Sequence, residues 1–182
     1  SPTLFSAGKR LACRDLAERE VTDLFGSELR HVEREEGQLH SFFAGANRHV
    51  VLAAKERAVL RPHGQILRTG DALVPDEASL TSTAWMSGVF HSMVTQGHVS
   101  INRFLSTTHS YLGLFRSHGQ RVFVEGADGW QLLDAPSAFE MDPSGCRWIY
   151  QHAGGRIEVR SRAAVSIHEL RLEIEVVDGA PC

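Results

Sequence analysis

The stretch that decides the fold is Leu170-Arg171-Leu172-Glu173-Ile174-Glu175-Val176, near the end of the sequence. Its apolar side chains alternate strictly with charged ones, so an extended segment would have one apolar face and one charged face. Such a two-faced strand is typical of antiparallel sheets, which cover a core with one face and meet solvent with the other. The pattern therefore predicts a β-strand that points Leu172 and Ile174 into the core.

Two hairpins are predicted on the N-terminal side of this strand by short apolar runs around turn residues. Residues 121–125 and 130–133 flank Asp128-Gly129, and residues 146–152 and 156–160 flank Gly154-Gly155. Asp-Gly and Gly-Gly pairs favour the tight turns that join antiparallel strands. Together with the alternating strand, the hairpins predict an antiparallel β-meander.

The first part of the chain combines a helical pattern with further strand patterns. Apolar residues recur at helical spacing between Lys9 and Phe25, and Gly26 is a suitable helix end. Residues 38–44, 48–54 and 58–61 are short apolar runs bounded by Gly and Asn, as strands are. We expect a mainly β protein, an antiparallel β-sandwich with one N-terminal amphipathic helix. Residues 1–36 form its helical and linker segment and residues 37–182 its sandwich domain.

Composition excludes several classes of protein. With 182 residues, 42% hydrophobic and 23% charged, the chain suits one ordered globular domain. The formal charge of −3 provides no positive field for nucleic acid, and polar residues interrupt every uncharged stretch, which excludes a membrane span. The three cysteines lie far apart and show no C-x-x-C spacing. Three cysteines so far apart favour reduced thiols and a cytoplasmic location over a disulfide framework.

Residues 78–115 form a polar segment in which Arg103 is the one charged residue. Hydroxyl, amide and ring groups without charge suit a groove for a neutral polyhydroxylated ligand, where an indole stacks on a sugar ring. The alternative is a buried connection whose polar groups bond to one another. On the first interpretation the candidate substrate-binding residues are Trp85, His91, Gln96, His98, Asn102 and Arg103.

Catalytic and metal-binding patterns are weak. Glu140 lies two residues before Asp142, and carboxyl groups this close on one segment cannot easily flank a glycosidic bond. We therefore expect Glu140 to have a structural or substrate-binding role. The ten histidines include no H-x-H, no H-E-x-x-H and no pair four residues apart. We expect no metal, no other cofactor and no catalytic residue in this chain.

The C-terminal third resembles a known family through residues 146–152, 156–160 and 170–176, and also through Thr83-Ala84-Trp85-Met86-Ser87-Gly88. This succession of an aromatic strand, a hairpin and an alternating strand is similar to the β-sandwich domain of glycoside phosphorylases of the cellobiose and chitobiose type. The resemblance implies a super-sandwich fold that precedes a catalytic helical barrel, which this chain lacks. The early helix departs from the family's usual β start, and no catalytic residue can be carried over.

Two functions stay open at this point. The first is a non-catalytic β-sandwich portion of a larger glycoside phosphorylase or hydrolase, which shapes a substrate entrance or a dimer contact. Its partners would be a carbohydrate, the remainder of the parent chain and, in the dimer case, a second copy. The second is a self-sufficient small β-barrel enzyme or binding protein that uses a histidine metal site.

Overall fold

The computed structural model describes residues 9–59, 62–68, 81–87, 122–126, 128–142, 145–164, 166–167 and 169–178. Two helices lie among them, α1 at Glu18–Phe25 and α2 at Ala53–Val59. The strands, in chain order, are β1 Lys9–Arg10, β2 Leu29–Glu35, β3 Gln38–Ala44, β4 Arg48–Leu52, β5 Pro62–Arg68, β6 Thr81–Ser87, β7 Phe123–Gly126, β8 Gly129–Leu132, β9 Ala138–Asp142, β10 Gly145–His152, β11 Gly155–Ala163 and β12 Leu170–Asp178. Neither helix is long and apolar enough to cross a membrane.

A seven-stranded sheet forms the centre of the described structure, in the order β12-β11-β10-β9-β4-β3-β2. All of its neighbouring strands are antiparallel, which confirms the predicted mainly β, antiparallel fold. Strands β10, β11 and β12 form a meander, as the turn residues and the alternation predicted. Within it, Val159 lies opposite Trp148 on one side and Ile174 on the other.

The hairpin of β7 and β8 does not extend this meander. It pairs with β1 in a separate three-stranded sheet, in which β1 runs parallel to β8. The turn residues predicted the hairpin, but placing it in the meander was wrong. Turn chemistry determines how two adjacent strands pair, whereas the sheet that they join depends on which apolar surfaces meet.

One core lies on the face of the large sheet that carries Trp148. It contains Phe139, Trp148, Tyr150, Ile157 and Val159 from β9, β10 and β11, with Leu133 and Val122 from the ends of the small sheet's hairpin. Trp148, Tyr150 and Val159 are fully buried. The two sheets thus pack as a sandwich over the middle of the large sheet. Of the two tryptophans on these sheets, Trp148 of β10 lies in the core, whereas Trp130 of β8 is 51% exposed.

A second core lies on the opposite face, where α1 packs. Val21 and Phe25 of α1 contact a cluster that includes Phe42, Val50 and Ile149. The Phe25 and Phe42 rings meet edge to face with their centroids 5.5 Å apart. The large sheet is therefore covered on both faces, by the small sheet on one side and by α1 on the other.

The ends of α1 follow from local chemistry. The helix ends at Gly26, as predicted, where φ is +90° and the N–H donates to the Thr22 carbonyl at 2.8 Å. At its start, the Glu20 carboxylate accepts a hydrogen bond from the Ala17 N–H at 2.8 Å. A hydrogen-bonded Arg14 guanidinium holds the pKa of Glu20 down to about 2. These contacts begin the helix at Glu18 and not near Lys9, where β1 forms instead.

Residues 48–61 differ from their predicted strands. The strand that was predicted over 48–54 ends at Leu52, and the run 58–61 begins in α2, so its assignment to a strand was wrong at Ala58 and Val59. The sequence Ala53-Ala54-Lys55-Glu56-Arg57-Ala58 is rich in strong helix formers, and that propensity prevails here. The segment 1–36 contains β1 and β2 in addition to the predicted helix, and β2 pairs with β3 at the edge of the large sheet.

Strand β12 also departs from expectation. Leu172 packs partly against the sandwich core, but Ile174 is 50% exposed and Val176 is 44% exposed. The prediction that Ile174 lies in the core is therefore wrong. The alternation correctly assigns these side chains to the core face of the sheet, but β12 is an edge strand, and cover over that face decreases toward the edge.

Candidate functional site

A row of alternating charges crosses the large sheet on the face that carries α1. We call it the charge ladder, and it consists of Arg48, Glu140, Arg147, Glu158, Arg160 and Glu175. The strand register places Glu140 opposite Arg147, Arg147 opposite Arg160, and Glu158 opposite Glu175. Side chains at these positions share one face of a pleated sheet. Only the Glu140–Arg147 pair joins opposite charges directly across two strands; Arg147 reaches Glu158 and Arg160 reaches Glu175 diagonally, and Glu158 meets Arg160 along β11.

Glu140 is the carboxylate near the middle of the sheet, and it is only 9% exposed. Its Oε2 atom accepts a hydrogen bond from Arg147 Nη2 at 2.6 Å and lies 3.5 Å from Arg48 Nη1. The Arg147 guanidinium lies over the Phe25 ring, 5.4 Å from the ring centroid. Helix α1 therefore holds Arg147 against the sheet, and Arg147 in turn holds Glu140.

Glu158 is the most buried carboxylate of the ladder, at 2% exposure. Its carboxylate contacts Arg160 directly, Arg147 at 3.5 Å and Arg156 at 3.3 Å. Arg160 also donates to Glu175 at 2.9 Å. A buried carboxylate needs such partners to offset the loss of hydration, so Glu158 has a structural role within this group of guanidiniums.

A cavity of about 320 Å³ lies beside the ladder, and we call it the arginine pocket. Its described lining residues are mostly charged: Leu24, Arg48, Glu140, Asp142, Gly145, Cys146, Arg147, Arg160 and Arg162. Asp142 accepts a hydrogen bond from the Gly145 N–H at 3.0 Å. Guanidiniums offer several N–H donors and carboxylates offer acceptors, so the pocket can bind a ligand that carries both an anion and hydroxyl groups.

A second cavity, of about 210 Å³, lies at the start of α1 beside Asp15 and Leu16. Its polar groups are already paired: Asp15 accepts hydrogen bonds from Arg57 at 2.6 and 2.9 Å and from Gln38 at 3.4 Å. Its described lining contains one arginine, Arg34, against four in the arginine pocket, so it offers fewer N–H donors to an anion. The arginine pocket is the stronger candidate site.

Glu140 is the one sequence-predicted site residue whose side chain the structure describes, and it lies in the arginine pocket. Trp85 lies on β6, where its backbone is opposite Gly64 of β5. His91, Gln96, His98, Asn102 and Arg103 lie outside the described residues. The groove that was predicted from these six residues therefore stays a prediction.

The sequence reasoning missed the arginines of the pocket. Arg147 and Arg160 are equally far from the turn of a predicted hairpin, so counting outward from that turn would have paired them. No pattern in the sequence predicts that Arg48 lies beside them, because β4 and β9 pair only in the assembled sheet. A contact between strands so distant in sequence cannot be read from local patterns.

The thiols in the described part of the chain are suited to neither nucleophilic nor metal chemistry. Neither Cys13 nor Cys146 forms a disulfide. Burial raises the pKa of Cys13 to about 11, and burial raises the pKa of Cys146 even further. A thiol with a raised pKa is a poor nucleophile, since the thiolate is the reactive form. No group of three His, Cys, Asp or Glu side chains among the described residues could hold a metal ion.

Comparison with known proteins agrees with this architecture. The model of a family described as the glycoside phosphorylase supersandwich domain matches residues 27–181. The chain is also 33% identical over 147 residues to a 1,2-beta-oligoglucan phosphorylase of Listeria innocua. That alignment covers 81% of this chain and 14% of the relative.

Proposed function

Since this chain belongs to the family of glycoside phosphorylase supersandwich domains, we propose that it is the non-catalytic sandwich part of a larger enzyme that phosphorolyses glucose oligosaccharides. The match over residues 27–181 carries this proposal, because it spans the whole large sheet and the β7–β8 hairpin of the small one. The substrate class comes from the relative's name, a 1,2-beta-oligoglucan phosphorylase. The catalytic carboxylate and the phosphate acceptor site would belong to the remainder of the parent chain.

The carboxylates of the described residues support a non-catalytic role. Glycoside chemistry needs a carboxylic acid next to the glycosidic oxygen. Glu140 and Asp142 lie on one strand and on one face of the sheet, and guanidiniums surround Glu140 Oε2. Glu158 is enclosed by arginines. Each of these groups thus has a partner within the fold, which supports a structural or binding role over that of the acid that protonates a glycosidic oxygen.

We further propose that the domain shapes the substrate entrance of the parent enzyme or a contact between two copies of it. In the entrance role, Trp85 stacks on a sugar ring, and the polar side chains of residues 91–103 orient its hydroxyl groups. The proposed substrate-binding residues are Trp85, His91, Gln96, His98, Asn102, Arg103 and Glu140. We place the enzyme in the cytoplasm, which the reduced thiols of Cys13 and Cys146 support.

Phosphorolysis by the full-length protein tests the entrance role. In this protein, Trp85→Ala and Gln96→Ala should raise the KM for a β-1,2-linked oligoglucan by roughly 5- to 100-fold, because a stacked ring or a hydrogen-bond partner is lost. The melting temperature should change little. Trp130→Ala is the matched control, because Trp130 is half-exposed on the other sheet. If Trp85→Ala unfolds the domain and leaves KM unchanged in the folded fraction, residues 78–115 are core.

The non-catalytic role has its own test in the 182-residue chain. Incubated with oligoglucan and phosphate, this chain should release no sugar phosphate, and without phosphate it should release no reducing sugar. Turnover that is present in the pure chain and abolished by Glu140→Gln would overturn the proposal. The control is the full-length protein under the same conditions, which should release sugar phosphate.

A further inference from the structure

We propose that the arginine pocket binds a hexose monophosphate, separately from the site where glycosidic bonds are cleaved. The anion part of this proposal rests on the pocket itself. The choice of a hexose rests on the proposed function, because phosphorolysis of a glucan transfers a glucosyl group to phosphate and so yields a sugar phosphate. A phosphorylase is therefore exposed to this ligand whenever it turns over.

The first observation is a surplus of donors in the pocket. The Arg162 side chain is exposed and makes no hydrogen bond or ion pair with any described residue, although its backbone pairs within the sheet. Arg147 and Arg160 form ion pairs through their terminal nitrogens, yet each keeps a buried Nε–H that has no hydrogen-bond partner. Buried donors without partners are rare, because each one costs the free energy of its lost hydration. These two Nε–H groups have almost no accessible surface, so the accessible donor without a side-chain partner is the Arg162 guanidinium, and a phosphate group supplies acceptor oxygens for it.

The second observation is the charge of the lining. Four arginines and two carboxylates line the cavity, and Glu158 and Glu175, outside the lining, pair with Arg147 and Arg160. Among the described residues, the positive charge left over for a ligand is therefore that of the Arg162 side chain. Both carboxylates already interact within the fold, Glu140 with Arg147 and Asp142 with the Gly145 N–H. Their repulsion of an incoming phosphate is reduced by these partners. Arginine is also the side chain whose planar donors best match a phosphate group.

The third observation is size and mixed chemistry. About 320 Å³ is at the lower end of the volumes of small-molecule pockets and exceeds what a bare phosphate ion needs. Leu24 of α1 contributes an apolar wall, which suits the apolar face of a sugar ring. Glu140 uses Oε2 for its guanidinium contacts, which leaves Oε1 to accept a hydrogen bond from a sugar hydroxyl. A sugar phosphate therefore fits the lining better than phosphate alone.

Calorimetric titration of the purified 182-residue chain at low ionic strength tests the proposal. Three probes are compared: glucose 1-phosphate, inorganic phosphate and glucose. We expect glucose 1-phosphate to bind, inorganic phosphate to bind roughly tenfold more weakly, and glucose to show no measurable binding. Because this chain is titrated alone, the result does not depend on whether the parent enzyme uses Trp85 at its entrance.

Two variants locate the binding in the arginine pocket. Arg162→Glu and Arg48→Gln should each weaken glucose 1-phosphate binding by roughly tenfold or more. Arg162 is exposed and Arg48 is only half-buried, so both variants should fold, which circular dichroism and thermal melting verify. Arg19→Glu is the matched control, because Arg19 is 92% exposed on α1, is not part of the pocket lining and undergoes the same charge reversal as Arg162.

Several outcomes would overturn the proposal. Absence of binding by all three probes excludes a ligand site. Equal affinity for inorganic phosphate and glucose 1-phosphate excludes the sugar subsite. Equal affinity for glucose and glucose 1-phosphate excludes binding of the phosphate group by the guanidiniums. If Arg162→Glu and Arg48→Gln bind as wild type does, or if Arg19→Glu weakens binding as much as they do, the ligand is not in the arginine pocket.

Discussion

Ile157 and Ile174 offer a direct test of the sandwich, because the same residue type lies in two different environments on one face of the large sheet. Ile157 on β11 is 1% exposed, whereas Ile174 on the neighbouring edge strand β12 is 50% exposed. Replacing each with alanine removes the same three carbon atoms. It also makes the same change in strand propensity, so the difference between the two variants reports burial.

The magnitudes follow from these exposures. Removing three fully buried carbons from Ile157 costs roughly 2.4 kcal/mol of transfer free energy, and a cavity brings the loss to about 3–4 kcal/mol. The Ile174 side chain is half-buried, so its truncation loses roughly half of that transfer free energy, and solvent fills the space. The expected loss of stability is therefore about 1 kcal/mol. We therefore expect a difference of about 2 kcal/mol or more between the free energies of unfolding.

Equilibrium urea unfolding, followed by tryptophan fluorescence, measures this difference. With a slope of about 2 kcal/mol per molar urea, the midpoint of Ile157→Ala should lie about 1 M below that of Ile174→Ala. Equal losses at the two sites would refute the reasoning, because they would mean that β12 is as well covered as β11. A larger loss at Ile174 would place the edge of the sheet elsewhere.

The same unfolding assay tests three further features. Glu158→Gln should cost about 3–5 kcal/mol, because it leaves buried guanidiniums without their shared anion. Glu173→Gln on the exposed strand β12 should cost less than about 0.5 kcal/mol. Similar losses at the two sites would contradict the charge ladder. Gly145→Ala should cost about 1–3 kcal/mol, because its Cβ would lie 2.8 Å from a carbonyl oxygen of β11. The Cβ of Gly126→Ala would meet nothing within 4 Å, so that variant should be nearly neutral. A larger loss of stability for Gly126→Ala than for Gly145→Ala would be inconsistent with the β10–β11 register. Glu20→Gln should cost about 1 kcal/mol of unfolding free energy at pH 7, because the arginine partner of Glu20 is half-exposed. The folded pKa of Glu20, about 2, lies below the ordinary 4.5, so the difference from wild type should be complete above pH 4.5 and disappear as the pH falls toward 2. A difference that does not vary with pH would disprove the ion pair.

Local sequence patterns predicted the strands and hairpins well where one face of a strand was apolar. The alternation in residues 170–176 and the Gly154-Gly155 turn led to β10, β11 and β12 with antiparallel pairing. The pattern was less informative at residues 53–59, where a short run of helix formers follows a strand with no turn residue between them. There the apolar content suggested a strand, and helix propensity prevailed.

The candidate site was predictable only in part. Glu140 was singled out as a carboxylate with a structural or binding role, and the structure gives it partners from two other strands, Arg147 and Arg48. Arginines are common on exposed strand faces, so nothing in their local sequence distinguishes those that line a cavity from those in solvent. The arginine pocket exists because the large sheet brings together β4, β9, β10 and β11.

The sequence by itself determined the periodicity of each strand, the positions of the tight turns and the face of each strand that carries apolar side chains, because these depend on residues within a few positions of one another. Only the tertiary structure decided that β7 and β8 join β1 in a second sheet, that Ile174 is half-exposed, and that Arg48 approaches Glu140. The physical reason is the same in each case. Burial and ion pairing depend on which surface covers a side chain, and that surface comes from segments far away along the chain.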